Sequence, residues 1–76
     1  MTPRGNPALG QRIRTLRKAR RRMLADVAAE SGVSLPYISE VERGTKLPTL
    51  EVLTRLADAL DLTVVELLSG VPPYDN

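Results

Sequence analysis

The residues of this sequence with the clearest chemical capacity are its basic side chains, and they are unevenly distributed. Residues 1–22 contain eight Lys or Arg and no acidic residue, whereas residues 23–76 contain three Lys or Arg and nine acidic residues. The formal charges of the two segments are therefore +8 and −6. A segment so cationic favours a polyanionic partner, with nucleic acid ahead of an anionic membrane or an acidic protein. The alternative is a solvated face that aids solubility, although such faces normally mix both signs.

The composition argues against catalysis and against metal binding. The chain has no histidine and no cysteine, so a zinc centre, a disulfide framework and a histidine acid or base are not expected. Seventy-six residues suffice for one small domain with one site or surface. The sequence therefore predicts a protein that is not an enzyme and that uses no cofactor.

The apolar residues indicate an all-α fold. Phe and Trp are absent and only two Tyr occur, so the core must be aliphatic, which suits packed helices better than a sheet. No internal repeat is evident. The N-terminus lacks an apolar targeting segment and no apolar run approaches membrane-spanning length, so we expect a cytoplasmic protein with no membrane partner.

The stretch S-G-V-S-L-P-Y-I-S-E-V-E-R-G, residues 31–44, predicts a turn followed by a short helix. Gly32 can adopt the positive φ of a sharp turn, Ser34 is a good N-cap, and Pro36 fits only a first helical turn. Ile38 and Val41 give this helix, at about 35–43, one narrow apolar stripe. The residues left pointing outward are Leu35, Pro36, Tyr37, Ser39, Glu40 and Arg43.

The helix before this turn is predicted at about 24–31, and together the two helices have the outline of a helix-turn-helix. The first helix of the chain should run over about 7–20, since Asn6 and Pro7 form a start signal. At about 100° per residue, Arg14 and Lys18 fall opposite its apolar stripe, whereas Arg17 falls on the shoulder of the stripe.

Two further helices follow. Thr49 should cap the fourth helix, and Thr63 with Glu66 has the spacing of a capping box that begins the fifth. The fourth helix carries the most regular apolar stripe, formed by Leu50, Leu53, Leu56, Ala57 and Leu60. These elements predict a five-helix domain over residues 6–70, a flexible N-terminal arm at 1–5 and an extended C-terminal tail at 71–76.

Four segments together resemble the phage-repressor and Cro-like helix-turn-helix family of bacterial DNA-binding proteins, often called the XRE family. They are L-G-Q-R-I-R-T-L-R, V-A-A-E-S-G-V-S, Y-I-S-E-V-E-R-G and P-T-L-E-V-L-T-R-L-A-D-A-L-D-L, and they cover nearly the whole chain. The resemblance implies a compact five-helix bundle of the lambda-repressor type. It also implies a sequence-specific transcription regulator that places its third helix in the DNA major groove.

The resemblance also implies residue roles. Base-facing positions are Ser34, Leu35, Pro36, Ser39 and Glu40, and phosphate-facing positions are Tyr37, Arg43, Thr45, Lys46, Arg14 and Lys18. Arg17 and Glu42 would form a structural salt bridge between the first and third helices. The implied partners are double-stranded DNA with a pseudo-palindromic operator and a second copy of the chain, bound through the fifth helix and tail. Such a protein would be cytoplasmic and associated with the nucleoid.

The sequence departs from the family at two places. Met23 and Leu24 stand where the family often has a Thr or Ser cap followed by a phosphate-binding Gln. Leu35 and Pro36 replace hydrogen-bonding residues; they can touch a thymine methyl but cannot make a bidentate base contact. These departures keep open an alternative, an antitoxin or adaptor that binds protein and has weak or lost DNA binding. The sequence is compatible both with a whole small protein and with the N-terminal domain of a longer one.

Overall fold

The computed structural model describes residues 5–74, which form five α-helices and no strand, and it confirms the predicted all-α fold. Residues 1–4 and 75–76, which include most of the predicted arm and the end of the predicted tail, lie outside the described part. The helices are α1 at Pro7–Ala19, α2 at Leu24–Ser31, α3 at Leu35–Glu42, α4 at Leu50–Ala59 and α5 at Val64–Leu68. None of them is long and apolar enough to cross a membrane.

Side-chain caps begin four of the five helices. Asn6 Oδ1 accepts the backbone N–H of Leu9 at 3.1 Å, which satisfies one of the free donors at the start of α1. The hydroxyls of Ser34, Thr49 and Thr63 do the same for α3, α4 and α5. These caps set where the helices start, and therefore which face of each helix meets the core.

The core is one aliphatic cluster to which every helix contributes. α1 packs against α3 and α5, α2 packs against α3 and α4, and α4 packs against α5. The largest fully buried side chains are Leu9, Ile13, Val27, Ile38, Val41, Leu56, Leu60, Leu67 and Val71. Because burial of a Leu or Ile side chain contributes roughly 1.5–3 kcal/mol, this cluster is the main source of stability.

Leu50 is not part of that cluster, although its place in the apolar stripe predicted a core position. It is the first residue of α4, and 70% of its surface is exposed. The stripe is correct for Leu53, Leu56 and Ala57, which are buried, but its first member lies beyond the edge of the packed helices. Periodicity alone cannot show where along a helix the neighbouring helices end.

Glycines allow α1 to approach the end of α3 closely. A Cβ on Gly10 would lie 2.4 Å from the carbonyl oxygens of both Val41 and Glu42, so no side chain fits there. Gly44, which follows α3, has φ +79°, and a Cβ on it would lie 2.7 Å from Pro7 Cα. The backbones of α1 and α3 are therefore in direct contact.

The α1–α2 and α4–α5 connections repeat the same turn, although no repeat is evident in the sequence. Arg21 and Asp61 occupy equivalent positions with φ 55° and 57°, in the left-handed region that non-glycine residues rarely adopt. In one turn the N–H of Arg22 donates to the Arg17 carbonyl at 3.1 Å, and in the other the N–H of Leu62 donates to Ala57 at 2.8 Å. The repeat is one of backbone hydrogen bonding and not of side chains.

The helices after these turns also begin alike. The N–H of Met23 donates to Asp26 Oδ2 at 2.8 Å, and the N–H of Thr63 donates to Glu66 Oε1 at 2.9 Å. Hydrogen bonding from Thr63, chiefly from its backbone amide, holds the pKa of Glu66 below its ordinary value. Asp26 therefore satisfies the N–H of Met23, although Met23 itself supplies no side-chain cap to α2.

The two ends of the described chain meet, which corrects the expectation of a loose Gly5 and of an extended segment from residue 71. Gly5 is buried, and Val71 is 2% exposed in the core. Asn6 Nδ2 donates to the Pro72 carbonyl at 3.0 Å, and the N–H of Tyr74 donates to the Val71 carbonyl at 2.8 Å. Burial of Val71 and these hydrogen bonds turn the chain back against α1.

We expect Gly10→Ala to lower the free energy of unfolding by about 1–3 kcal/mol or more, because the added methyl group must push α1 away from α3. Gly70→Ala is the matched control, since its Cβ would meet nothing within 4 Å. Its cost is limited to the strain of a non-glycine residue at φ +77°, about 1 kcal/mol. Urea denaturation of both variants measures whether Gly10→Ala loses more stability than Gly70→Ala. Equal losses of stability would contradict the close contact between α1 and α3 at Gly10.

Candidate nucleic-acid interface

The α2–α3 unit is held by short local contacts and by the core. α2 ends at Gly32, whose φ of 74° turns the chain, and the buried hydroxyl of Ser31 accepts the N–H of Val33 at 3.1 Å. Ile38 and Val41 fix one side of α3 in the core, with 0% and 1% exposure. The opposite side of α3 is consequently presented to solvent at a defined angle.

Arg17 joins three parts of the structure. Its Nε donates to Glu42 Oε2 at 2.8 Å and its Nη2 to Glu42 Oε1 at 3.0 Å, so the contact between α1 and α3 is bidentate. Its Nη1 donates to the Arg22 carbonyl at 2.9 Å, in the α1–α2 turn. The side chains of Arg17 and Glu42 are only 10% and 6% exposed. The hydrogen bonds to Glu42 raise the pKa of Arg17 despite its burial, so the guanidinium stays charged.

The residues expected to face bases lie along the outer side of α3. Ser34, Leu35 and Pro36 are exposed at its start, and Ser39 and Glu40 are half-buried one turn later. No ion pair within residues 5–74 uses the Glu40 carboxylate. This side of α3 therefore combines an apolar first turn with a few polar groups.

The end of α3 carries the residues expected near phosphates. Arg43 is exposed as the C-cap residue, and Lys46 is exposed in the loop that follows. Thr45 donates both its backbone N–H, at 3.0 Å, and its hydroxyl, at 3.1 Å, to the Glu40 carbonyl. Both donors of Thr45 therefore already serve to close α3. Tyr37, in contrast, is half-buried and packs against the core.

Two groups stand out among the basic residues of α1 and the following turn. Arg14 and Lys18 are exposed and form no ion pair among the described residues. They lie about 60° and 100° around the helix from Arg17, on the solvent side. Together with Arg43 and Lys46, they are cations whose charge no neighbouring carboxylate neutralises within residues 5–74.

The second group is structural, and the sequence did not indicate its roles. Arg22 forms ion pairs with Glu30 and with Asp61, the latter at 3.6 Å, and so links α2 to the α4–α5 turn. Arg12 Nη2 donates to the Glu66 carbonyl at 2.9 Å, which ties α1 to α5. The contacts of Arg22 with Asp61 and of Arg12 with Glu66 join residues far apart in the sequence, so no local spacing could have revealed them.

Among residues 5–74, no group of three or more His, Cys, Asp or Glu could hold a metal ion. The described residues present an outward face of α3 with exposed cations beside it. These features define a helix-turn-helix domain of the lambda-repressor type.

Comparisons with known proteins agree with that class. A family described as "Helix-turn-helix domain" matches residues 8–69. The HTH-type transcriptional regulator DdrOP3 of Deinococcus deserti is 44% identical over 68 residues, which cover 90% of this chain and 53% of that protein.

Two solved structures are also similar. The restriction-modification controller protein C.AhdI from Aeromonas hydrophila has a TM-score of 0.78 and 38% identity, covering 80% of this chain and 92% of that one. The N-terminal DNA binding domain of SinR from Bacillus subtilis has a TM-score of 0.75 and 33% identity, covering 82% of this chain and 91% of that one.

The chain belongs to the Cro/repressor-like helix-turn-helix family, also called the XRE family. It spans about half the length of the curated relatives it matches, 53% for DdrOP3 and 51% for the transcriptional repressor RstR of Vibrio cholerae.

We expect Arg17→Ala to destabilise the fold by about 3–5 kcal/mol, because the Glu42 carboxylate would be left buried without its partner. The double substitution Arg17→Met with Glu42→Leu removes both charges and should recover most of that loss. Urea denaturation of the two variants measures the difference. Equal stability of Arg17→Ala and the unsubstituted protein would show that the pair does not hold α1 to α3.

Proposed function

We propose that this protein is a sequence-specific, DNA-binding transcription regulator that inserts α3 into the major groove. The observation that carries the proposal is the outward face of α3, anchored by the Arg17–Glu42 pair and flanked by unneutralised cations. The similarity to the DNA binding domain of SinR supports it. An α-helix fits the major groove in width, and its exposed side chains can then reach base edges.

The phosphate contacts come from the edges of this face. Arg43 and Lys46 lie at the end of α3 and in its following loop, and Arg14 and Lys18 lie on α1. The hydroxyl of Tyr37 is a further candidate donor to a phosphate oxygen. Each cation that contacts a phosphate releases condensed counterions, which supplies affinity without sequence preference. The bound protein then blocks or recruits polymerase by occupying the operator.

The operator is proposed to be pseudo-palindromic and bound by a homodimer. The surface of α5 and residues 72–74 is the proposed interface, because Val65 is 80% exposed and Tyr74 is 43% exposed there. An open groove beside Tyr74, between the start of α1 and Leu47, offers further apolar area. Selection of bound sites from random duplex DNA would report the half-site sequence and the spacing between half-sites.

An antitoxin or adaptor role is the second candidate. Three helices begin at exposed apolar side chains, with Met23 at 71%, Leu35 at 41% and Leu50 at 70% exposure. A protein partner with an apolar surface would bury them. If no duplex is retained in the site selection at low salt, this second role is favoured over transcription regulation.

The combined variant Arg14→Ala, Lys18→Ala and Arg43→Ala should bind mixed duplex DNA more weakly than the unsubstituted protein. Each lost phosphate contact should reduce the slope of log K against log salt by about 0.9. Arg55→Ala is the control, because it also removes a cation, but one that is paired with Glu51 at 3.1 Å. Gel-shift titrations at several salt concentrations measure both slopes. An unchanged slope in the triple variant would remove these residues from the DNA surface.

We expect Val65→Glu to weaken self-association, because it places a charge in the proposed α5 interface. Leu50→Glu is the control, since this exposed leucine lies on α4, outside that surface. Sedimentation of both variants, with and without operator DNA, measures the dimer. A dimer that is unaffected by Val65→Glu would place the interface elsewhere.

A further inference from the structure

The first turn of α3 presents hydrocarbon to solvent. Leu35 is its first residue and is 41% exposed, and Pro36 is its second residue and is also exposed. Ser39 and Glu40 lie one turn further along the same sides of the helix. The outward face of α3 therefore begins with two apolar side chains and continues with a hydroxyl and a carboxylate.

The backbone of this turn has few free donors. Pro36 has no N–H, the N–H of Tyr37 donates to Ser34 Oγ at 3.3 Å, and the N–H of Ile38 donates to the Ser34 carbonyl at 3.0 Å. Of the four N–H positions that a helix start normally leaves open, Pro36 has no N–H and that of Tyr37 is capped, so those of Ser34 and Leu35 remain. The turn therefore offers few backbone donors to phosphate oxygens or base acceptors, and apolar contact is what the side chains of Leu35 and Pro36 can supply.

The major groove displays one apolar group, the 5-methyl group of a pyrimidine. It is present on thymine and also on 5-methylcytosine. We propose that Leu35 and Pro36 read pyrimidine 5-methyl groups, so that each half-site is chosen partly by methyl position. This inference rests on the proposed function, since α3 must lie in the major groove. The flanking cations, Arg43 and Lys46, suit a DNA surface better than an apolar protein partner.

Leu35 is 41% exposed, so contact with one methyl group would cover part of the surface it still presents to solvent. Burial of one methyl-sized group contributes about 0.8 kcal/mol, which corresponds to about a fourfold change in affinity. The acceptor-only carboxylate of Glu40 lies one turn after Pro36 and favours a base with an exocyclic amine at the next position read. Contact with methyl groups therefore gives the protein a base preference at positions where Leu35 and Pro36 cannot form a bidentate hydrogen bond.

The test uses a duplex obtained by site selection, in which each thymine is replaced singly by deoxyuridine. This removes the methyl group and keeps every hydrogen-bonding group of the base. We expect about fourfold weaker binding at one or two positions of each half-site and no change at the others. At the sensitive positions, cytosine and 5-methylcytosine are also compared. Tighter binding of 5-methylcytosine than of cytosine would show that the protein reads the methyl group on either base. Equal binding of the two would show that it reads the methyl group of thymine alone.

Leu35→Ala tests whether this side chain makes the contact. At the position that Leu35 contacts, this variant should bind the thymine and deoxyuridine duplexes equally. Leu50→Ala, which truncates a similarly exposed leucine at the start of α4, should retain the preference at every sensitive position. Thermal unfolding of both variants checks that they fold. A thymine preference that is unchanged at every sensitive position in Leu35→Ala, or equal binding of thymine and deoxyuridine at every position of the unsubstituted protein, would overturn the inference.

These outcomes differ from a failure of the proposed function. A protein that selects duplex DNA but ignores the methyl groups remains a DNA-binding regulator, and only the methyl reading is lost. A protein that retains no duplex at low salt loses both proposals, which would leave Leu35 as part of a surface for a protein partner.

Discussion

The bidentate contact between Arg17 and Glu42 constrains the rest of this structure, because it places two charges where water is largely excluded. A buried charge is tolerated only while its partner and its remaining hydrogen bonds stay in place. Arg17 Nη1 donates to the Arg22 carbonyl, and this hydrogen bond also positions the α1–α2 turn. One guanidinium thus sets the distance between α1 and α3 and the course of the chain into α2. The glycine contacts between α1 and the end of α3 are compatible with only that distance.

The cations of this domain differ in whether they bond to other parts of the domain or stay exposed to solvent. Arg12, Arg17 and Arg22 point to carbonyls and carboxylates of other helices, so their charges are used within the domain. The exposed cations on α1 and after α3, which are Arg14, Lys18, Arg43 and Lys46, form no ion pair among residues 5–74. Their charges are therefore available to an external anion. The +8 charge of residues 1–22 consequently overstates the cationic surface. Added salt would weaken the interactions of these exposed cations with an anion far more than it would weaken the buried Arg17–Glu42 pair, since screening acts mainly on solvated charges.

Local chemistry made much of the fold predictable from the sequence. Asn6, Ser34, Thr49 and Thr63 cap the helices that their spacing indicated, and Ile38 and Val41 are buried as expected. The Arg17–Glu42 pair is present as the family resemblance implied. The roles of the base-facing and phosphate-facing residues stay predictions, because they concern a partner.

What the sequence could not reveal depends on contacts between distant segments. Leu50 has the spacing of a core residue but lies past the edge of the bundle, and Val71 follows a glycine and precedes two prolines yet fills the core. The repeated turn was hidden because Arg21 and Asp61 share a backbone conformation and no chemistry. Hydrogen bonds between main-chain groups define that turn, and almost any side chain can accompany them.

The repeated turn has a consequence for how this domain can diverge. Turns of like construction join α1 to α2 and α4 to α5, and in the described chain α3 is the one helix outside these two joined pairs. Ser34, Tyr37, Ile38, Val41 and Glu42 serve the fold as cap, core contacts and ion-pair partner. The outward positions that remain are Leu35, Pro36, Ser39 and Glu40. Substitutions at these outward positions therefore leave the rest of the fold unchanged. Sequence change on this helix would redirect the protein to new sites faster than it would erode its stability.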